Sequence, residues 1–357
     1  MNGLDTAVRA AVRAAAPYAT AVTVAVARDG HEDVRCFGRL ARGRAAACTP
    51  DTVFELGSVS KTFTALLLAD LATRGELALD DPVEHRLPPD WRPMTVRSPE
   101  PIRLLHLATH TSGLPGLPPG LLSGAVPTWQ TNPYAAFDDE RLRAALARTT
   151  VRGRPGSMYR YSNYGVGLLG RLLAETGGLP YGELLAKRVL VPLGLDATTC
   201  APDEPDSPDV PDVPDVPDVP SRATGYRRGR AMPAWRIPGL PGAGAVRASG
   251  SDLLRYLQAH LGQEDGELAK PLAEVQRVRL RLPHSPDELC LVWNHRRSGG
   301  RELYFHTGAT RGFTAFVGFS PTGATAVAAL ANTGPKRGGC FVQAGYEVLR
   351  TVTGHSM

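Results

Sequence analysis

Only four of the 40 basic residues in this 357-residue chain are lysines (Lys61, Lys187, Lys270 and Lys336), so each lysine position carries information. The five cysteines (Cys36, Cys48, Cys200, Cys290 and Cys340) are odd in number, widely spaced and without a Cys-x-x-Cys pair, which argues against a disulfide framework and against a zinc site. A reducing compartment fits that usage. The N-terminus, Met1 to Ala16, interleaves Arg and Asp with Ala and Val and has no continuous apolar core, so it reads as neither a secretory leader nor a membrane span, and a cytoplasmic location is expected. No Gly-x-Ser-x-Gly occurs, which speaks against the nucleophile elbow of an α/β-hydrolase. The net charge of +5 comes from arginines scattered without a basic block or stripe, so no nucleic-acid partner and no membrane surface is expected. A hydrophobic fraction of 43% with 21% charged residues leaves an ordinary globular chain. No cofactor or metal is called for, and oligomeric state is not legible.

At this length two lobes sharing one cleft are expected. Residues 4 to 16 read as an amphipathic helix, and Ala19 to Ala27 as a strand that turns at Asp29-Gly30. From Ser58 to Arg74 the apolar residues follow helical spacing and stop at Gly75, which places Ser58 at a helix start. Residues 82 to 205 carry helical stretches between Pro- and Gly-rich loops (Leu142 to Arg148, Tyr164 to Glu175, Tyr181 to Val189) and predict an all-helical lobe. Residues 206 to 220 repeat Pro-Asp-Val, which cannot build a core and predicts an exposed acidic insertion. A helix from Asp252 to Leu261, strand-like runs at Leu303 to His306, Phe313 to Phe319 and Ala324 to Ala331, and a closing helix to Val352 follow. The expected fold class is α+β: one antiparallel sheet flanked by helices, built from residues 1–81 and 222–357, with the helical lobe inserted.

Ser58-Val59-Ser60-Lys61 is a Ser-x-x-Lys motif, and on a helix this spacing stacks the amine on the serine's face. A serine hydroxyl is a poor nucleophile until a neighbouring base takes its proton, and a desolvated lysine can contribute to that. Alone, the spacing is more often that of a solvated helix start. Tyr161-Ser162-Asn163 follows, and His306-Thr307-Gly308 ends a strand near the C-terminus.

These three elements, in this order, resemble the serine β-lactamase and penicillin-binding-protein superfamily, in its class C-like esterase and D-peptidase branch with a tyrosine in the second motif. The segments Gly75–Val83, Leu107–Pro115 and Gly242-Ala243-Gly244 look like connecting segments of the same family. The resemblance implies a β-lactamase/transpeptidase-like fold in which Ser58 forms an acyl-enzyme, Lys61 tunes its proton, and Tyr161 acts as general base and then acid. It implies that Asn163 holds either the substrate's acyl-side amide or the lysine. It implies further that His306, Thr307 and Gly308 lie on an edge strand that pairs with substrate backbone, with the N–H groups of Ser58 and Ala309 holding the oxyanion.

His306 departs from the lysine of typical β-lactamases and D-peptidases, which removes a fixed positive charge for a substrate carboxylate. Arg311 is close enough in sequence to restore one, although an arginine in a turn is more often a surface residue. Two patterns are set aside: Gly165-x-Gly167-x-x-Gly170 follows no strand and reads as close helix packing, and His106 with His110 lacks a third ligand. Trp129, Tyr134 and Trp235 are candidate pocket walls. The expected function is a serine hydrolase or acyltransferase acting on an ester or amide of a small molecule or peptide, esterase-like, with a role in natural-product metabolism by analogy. The alternatives are a β-lactamase, a D-alanyl-D-alanine-type peptidase, or a penicillin-binding module that never releases its acyl group.

Overall fold

A computed structural model describes residues 2–200, 221–263, 266–282, 285–336 and 338–354; the Pro-Asp-Val repeat lies outside the described residues. The chain opens with helix α1 (Asn2–Ala15) and a hairpin of β1 (Ala21–Arg28) and β2 (His31–Gly38), turning where Asp29 and Gly30 adopt positive φ. Next come α2 (Ser60–Thr73), α3 (Asp139–Arg148), α4 (Asn163–Gly177) and α5 (Gly250–Gln258). The other strands of the main sheet are β3 (Leu280–Arg281), β4 (Asp287–Leu289), β5 (Asn294–Ser298), β6 (Arg301–Ala309), β7 (Thr314–Ser320) and β8 (Thr325–Ala331), followed by α6 (Cys340–Val352).

These eight strands join one antiparallel sheet in the order β2-β1-β8-β7-β6-β5-β4-β3, so both ends of the chain build it. Strand periodicity sends alternate residues to opposite faces. Val22, Val24, Val26, Val327 and Ala329 pack with Val8, Ala11, Phe341, Val348 and Leu349 under the two terminal helices. Ala25, Val317, Phe319, Ala328 and Leu330 face the larger core, which takes in α2, α4 and α5. Because both faces are covered, β1, β7 and β8 are apolar almost throughout rather than alternating with polar residues.

Helix α2 lies at the centre: Phe63, Leu66, Leu67, Leu68, Ala69 and Leu71 are all fully buried, the signature of a helix surrounded on every side. Its buried Asp70 is neutralised by Arg74 at 2.8 Å. The glycine pattern in α4 is a packing device. A Cβ on Gly167 would lie 2.4 Å from Leu240, and one on Gly170 would lie 2.9 Å from the Gly242 backbone, so the 240–244 turn seats directly on the helix.

Four expectations change. Ser58 is not in the α-helix; it lies in a 3-10 turn, Gly57–Val59, that feeds α2. The 82–200 segment is helical but includes a short parallel ladder of Thr95-Val96 with Thr150-Val151. Strands β3 to β5 were not anticipated. In consequence β6 is internal to the sheet and not an edge strand, flanked by β7 and β5. Pairing with β5 ends at Asn294 opposite Phe305, however, so His306 to Ala309 run on with that flank open. No helix among the described residues is long and apolar enough to cross a membrane.

Candidate active site

The 3-10 turn that carries Ser58 is wedged against the open end of β6, and two glycines make the fit. Gly57 has φ +52°, and a Cβ there would stand 2.4 Å from Ala309 O. A Cβ on Gly308 would stand 2.0 Å from Leu56 O and 3.0 Å from Ser58 N. Only bare backbone on both sides permits that approach.

In the β6–β7 ladder, Thr310 N–H donates to Phe313 O at 3.0 Å. Antiparallel pairs alternate, so the amides of Ala309 and Thr307, opposite Thr314 and Phe316, point away from β7 and into the open flank. Ala309 N–H thus lies beside the Ser58 backbone. Such a pair of amide donors suits a developing oxyanion.

One turn into α2, Lys61 is fully buried. Its Nζ donates to Ser58 Oγ at 2.8 Å and to Ala243 O at 2.7 Å. Among the described residues no carboxylate pairs with it, and burial lowers its pKa from 10.5 to about 7. The turn that presents Ala243 is tied down in turn, because Thr64 Oγ1 donates to Gly242 O at 2.7 Å.

Tyr161 arrives from the helical segment, just ahead of α4. Its ring lies 5.1 Å from the Lys61 amine. The residue keeps 39% of its surface open at the cleft mouth, yet protein crowds its hydroxyl. That burial raises the phenol pKa, and the hydrogen bond with Ser58 draws it partly back. Ser162 caps α4 by accepting Gly165 N–H at 2.8 Å, and Asn163 begins the helix. Asn163 Nδ2 donates to Tyr134 Oη at 3.0 Å, while its Oδ1 is buried and unpartnered. Of the two partners expected for Asn163, the lysine is not one: the amine is turned to Ser58 and Ala243.

His306 is buried on β6, and burial together with the nearby Lys61 pushes its pKa down to about 3. It is therefore neutral at every physiological pH. Arg311 lies half-buried at the surface; its Nη2 donates to Trp129 O at 2.8 Å, and its guanidinium lies 5.3 Å from the Trp129 ring. Tyr134 meets Trp235 edge-on at 5.5 Å, while Trp129 packs against Arg311.

Three further groups escaped sequence reasoning. His110, weighed above as a metal ligand, packs against Tyr161 with ring centres 4.5 Å apart and planes tilted by 40°, and accepts Ser162 N–H on Nδ1 at 3.2 Å. Its carbonyl accepts Arg160 N–H at 2.7 Å, so it grips the chain on both sides of the tyrosine. Burial holds its pKa well below 6.5, with Lys61 and His306 adding to that. Glu55 is buried and accepts from Trp235 N–H at 2.6 Å and from Thr310 Oγ1 at 2.7 Å, bracing the β6–β7 turn against the aromatic wall. Ala243 acts through a carbonyl, which no side-chain pattern reveals. Among the described residues no cluster of three or more His, Cys, Asp or Glu could hold a metal ion. A cavity of about 880 Å³ lined by Arg171, Tyr181, Cys200, Trp235 and Arg247 lies behind the 240–245 turn and contains neither Ser58 nor Tyr161.

A buried amine on a serine, a phenol above it and amide donors at its back form an arrangement fit for acyl transfer. Comparison with known proteins agrees. The family model described as Beta-lactamase matches residues 9–342. A D-alanyl-D-alanine-carboxypeptidase/endopeptidase from Escherichia coli is 28% identical over 308 residues, covering 82% of this chain and 74% of that protein. A beta-lactamase from Pseudomonas fluorescens is 30% identical over 257 residues, covering 71% of this chain and 62% of that protein. A solved structure described as a beta-lactamase/D-alanine carboxypeptidase from Pseudomonas syringae superposes with a TM-score of 0.80 at 23% identity, covering 97% of this chain and 98% of that one.

Proposed function

From the premise that this chain belongs to the beta-lactamase family and is a serine hydrolase, we propose that Ser58 forms an acyl-enzyme with an ester or amide of a small molecule or peptide, with esters favoured. The observation that carries the reading is the short contact from the uncharged-prone Lys61 amine to Ser58 Oγ. With a pKa of about 7, half the lysines are neutral near pH 7 and can accept a proton. The raised phenol pKa leaves phenolate scarce, so Tyr161 serves better as a donor than as the first base.

Ser58 Oγ bonds to the carbonyl carbon as its proton passes to Lys61 Nζ, and the oxyanion rests on the Ser58 and Ala309 amides. The bond to the leaving group breaks while the Tyr161 hydroxyl protonates it, and the Lys61 proton passes to Tyr161. Water or another nucleophile then attacks the acyl ester, giving up its proton through the same two groups and freeing Ser58.

The neutral His306 supports ester or amide substrates that need no fixed cation at that strand. A second reading, β-lactam or D-alanyl peptide hydrolysis, is supported by the named activities of the matched relatives. Natural-product metabolism remains a proposal on the same footing. Intact-mass measurement after exposure to a fluorophosphonate, a p-nitrophenyl ester and a penicillin separates them. A fluorophosphonate adduct on Ser58 with transient ester acylation is expected. Rapid loss of the penicillin favours the second reading, a permanent penicilloyl adduct without ester turnover favours a capture module, and undiminished turnover in Ser58→Ala removes the proposal.

A further inference from the structure

Two of the five thiols share one hydroxyl. Cys36 lies on β2 with Thr23 opposite it on β1, and Thr23 Oγ1 donates to Cys36 Sγ at 3.7 Å and lies 3.4 Å from Cys48 Sγ. Cys48 arrives there through backbone pairing. The chain leaves β2 at Gly38, turns, and comes back antiparallel with Arg39 opposite Ala47, so that Cys48 N–H donates to Gly38 O at 3.0 Å. The sulfurs also hydrogen-bond each other, and both are free thiols. The two are not equivalent. Cys48 is held below the ordinary thiol pKa by hydrogen bonds from Cys36, Thr23, Thr52 and the Phe37 backbone, which together outweigh its burial. Cys36 is pushed up by its bond with Cys48 and by burial, and it is half-buried where Cys48 is buried.

A thiol inclined to ionise beside a second thiol is the arrangement in which oxidation ends in a disulfide rather than in higher sulfur oxides. Cys48 keeps only 8% of its surface open, which admits a small oxidant and turns away a bulky disulfide. We infer that Cys36 and Cys48 form a modification site for hydrogen peroxide, which converts them reversibly to a disulfide. The Cys48 thiolate attacks one peroxide oxygen, the O–O bond breaks, and the departing hydroxide takes the Cys36 proton to become water. Cys36 sulfur then attacks the Cys48 sulfenic acid, the S–O bond breaks, and hydroxide leaves to take up the proton that Cys48 first released. Two thiols are oxidised and one peroxide is reduced to two waters. The bridge fastens the base of the 39–47 loop, whose Leu40 O accepts Thr224 N–H at 2.9 Å and whose Arg42 N–H donates to Tyr226 Oη at 2.7 Å. Ser58 takes no part, so the inference stands apart from the acyl-enzyme reading.

Hydrogen peroxide added to the native full-length protein, followed by alkylation in denaturant and mass spectrometry, tests it. The expected result is the loss of two hydrogens, protection of two of the five thiols, a peptide linking Cys36 to Cys48, and recovery of both thiols with dithiothreitol. The pair should be consumed at least about tenfold faster than Cys290, whose pKa burial pushes up to about 12. Oxidised protein should melt at a higher temperature than reduced protein, because the bridge constrains the unfolded chain. In Cys36→Ser protein the bridge cannot close, and dimedone should trap a sulfenic acid on Cys48. In Cys48→Ser protein neither a bridge nor a trapped Cys36 should form. Five alkylated thiols after peroxide, or Cys48 carried to the sulfinic acid in the parent protein without a bridge, would overturn the inference. A linked peptide joining some other pair within the monomer would do the same.

Discussion

Replacing Lys61 by methionine should make the protein more stable while removing its activity. The amine is fully buried, and its pKa falls from 10.5 in the unfolded chain to about 7 in the fold. Between those limits the unfolded chain binds more protons than the folded one, so stability rises with pH across the window. At about 1.4 kcal/mol for each pH unit, the gap is about 5 kcal/mol of penalty at or below pH 7. Methionine carries no such penalty but leaves Ala243 O without its donor, a loss of about 1–3 kcal/mol. The net expectation at pH 7.5 is a gain of about 1–3 kcal/mol for Lys61→Met, shrinking by about 3 kcal/mol by pH 10 as the unfolded lysine also becomes neutral. Urea unfolding of both proteins at pH 7.5, 8.5 and 10 measures this above the range in which unfolded histidines titrate. The difference between the two proteins cancels every other group that titrates there. A difference that stays constant with pH would refute the reasoning, because it would mean that the amine keeps its proton in the fold.

The pH profile offers a second check: kcat/KM for a neutral ester should climb about tenfold per pH unit below pH 7 and level off above it, and Lys61→Arg should abolish the limb along with the activity. Tyr161→Phe keeps the ring between Lys61 and His110, so its melting temperature should stay within a few degrees while kcat falls about 10²- to 10⁴-fold. Gly308→Ala places a methyl 2.0 Å from Leu56 O and must push the Ser58 turn off β6. It should slow fluorophosphonate labelling of Ser58 at least tenfold and lower stability by more than about 1 kcal/mol, both measurable in one preparation; labelling at the parent rate would show that the contact is not needed.

Much of this arrangement was legible because its signals are local. Ser58 and Lys61 are one helical turn apart, Tyr161 and Asn163 flank a capping serine, and β7 and β8 are written as unbroken apolar runs. The strands that escaped are short and charged: Asn294 to Ser298 owe their place to pairing with β6, and Asp287-Glu288-Leu289 to pairing in turn with β5, rather than to their own pattern. Their presence makes β6 internal, where the family resemblance implied an edge strand. Glu55 and His110 escaped for a different reason. Each is a single polar residue whose partners lie 180 and 52 positions away, in Trp235 and Ser162, so no window of sequence contains the relationship. Arg311 was visible as a residue but not as a half-buried one, because the Trp129 that covers it lies 182 positions away.

The keyed contact between Gly57 and Ala309 also has a meaning for biosynthesis. During synthesis, the alcohol and its amine neighbour leave the ribosome about 250 residues before the strand that braces them from behind. A nascent or truncated chain ending short of that strand would display the first motif without its backstop, so acylating power should switch on only once β6 has been made.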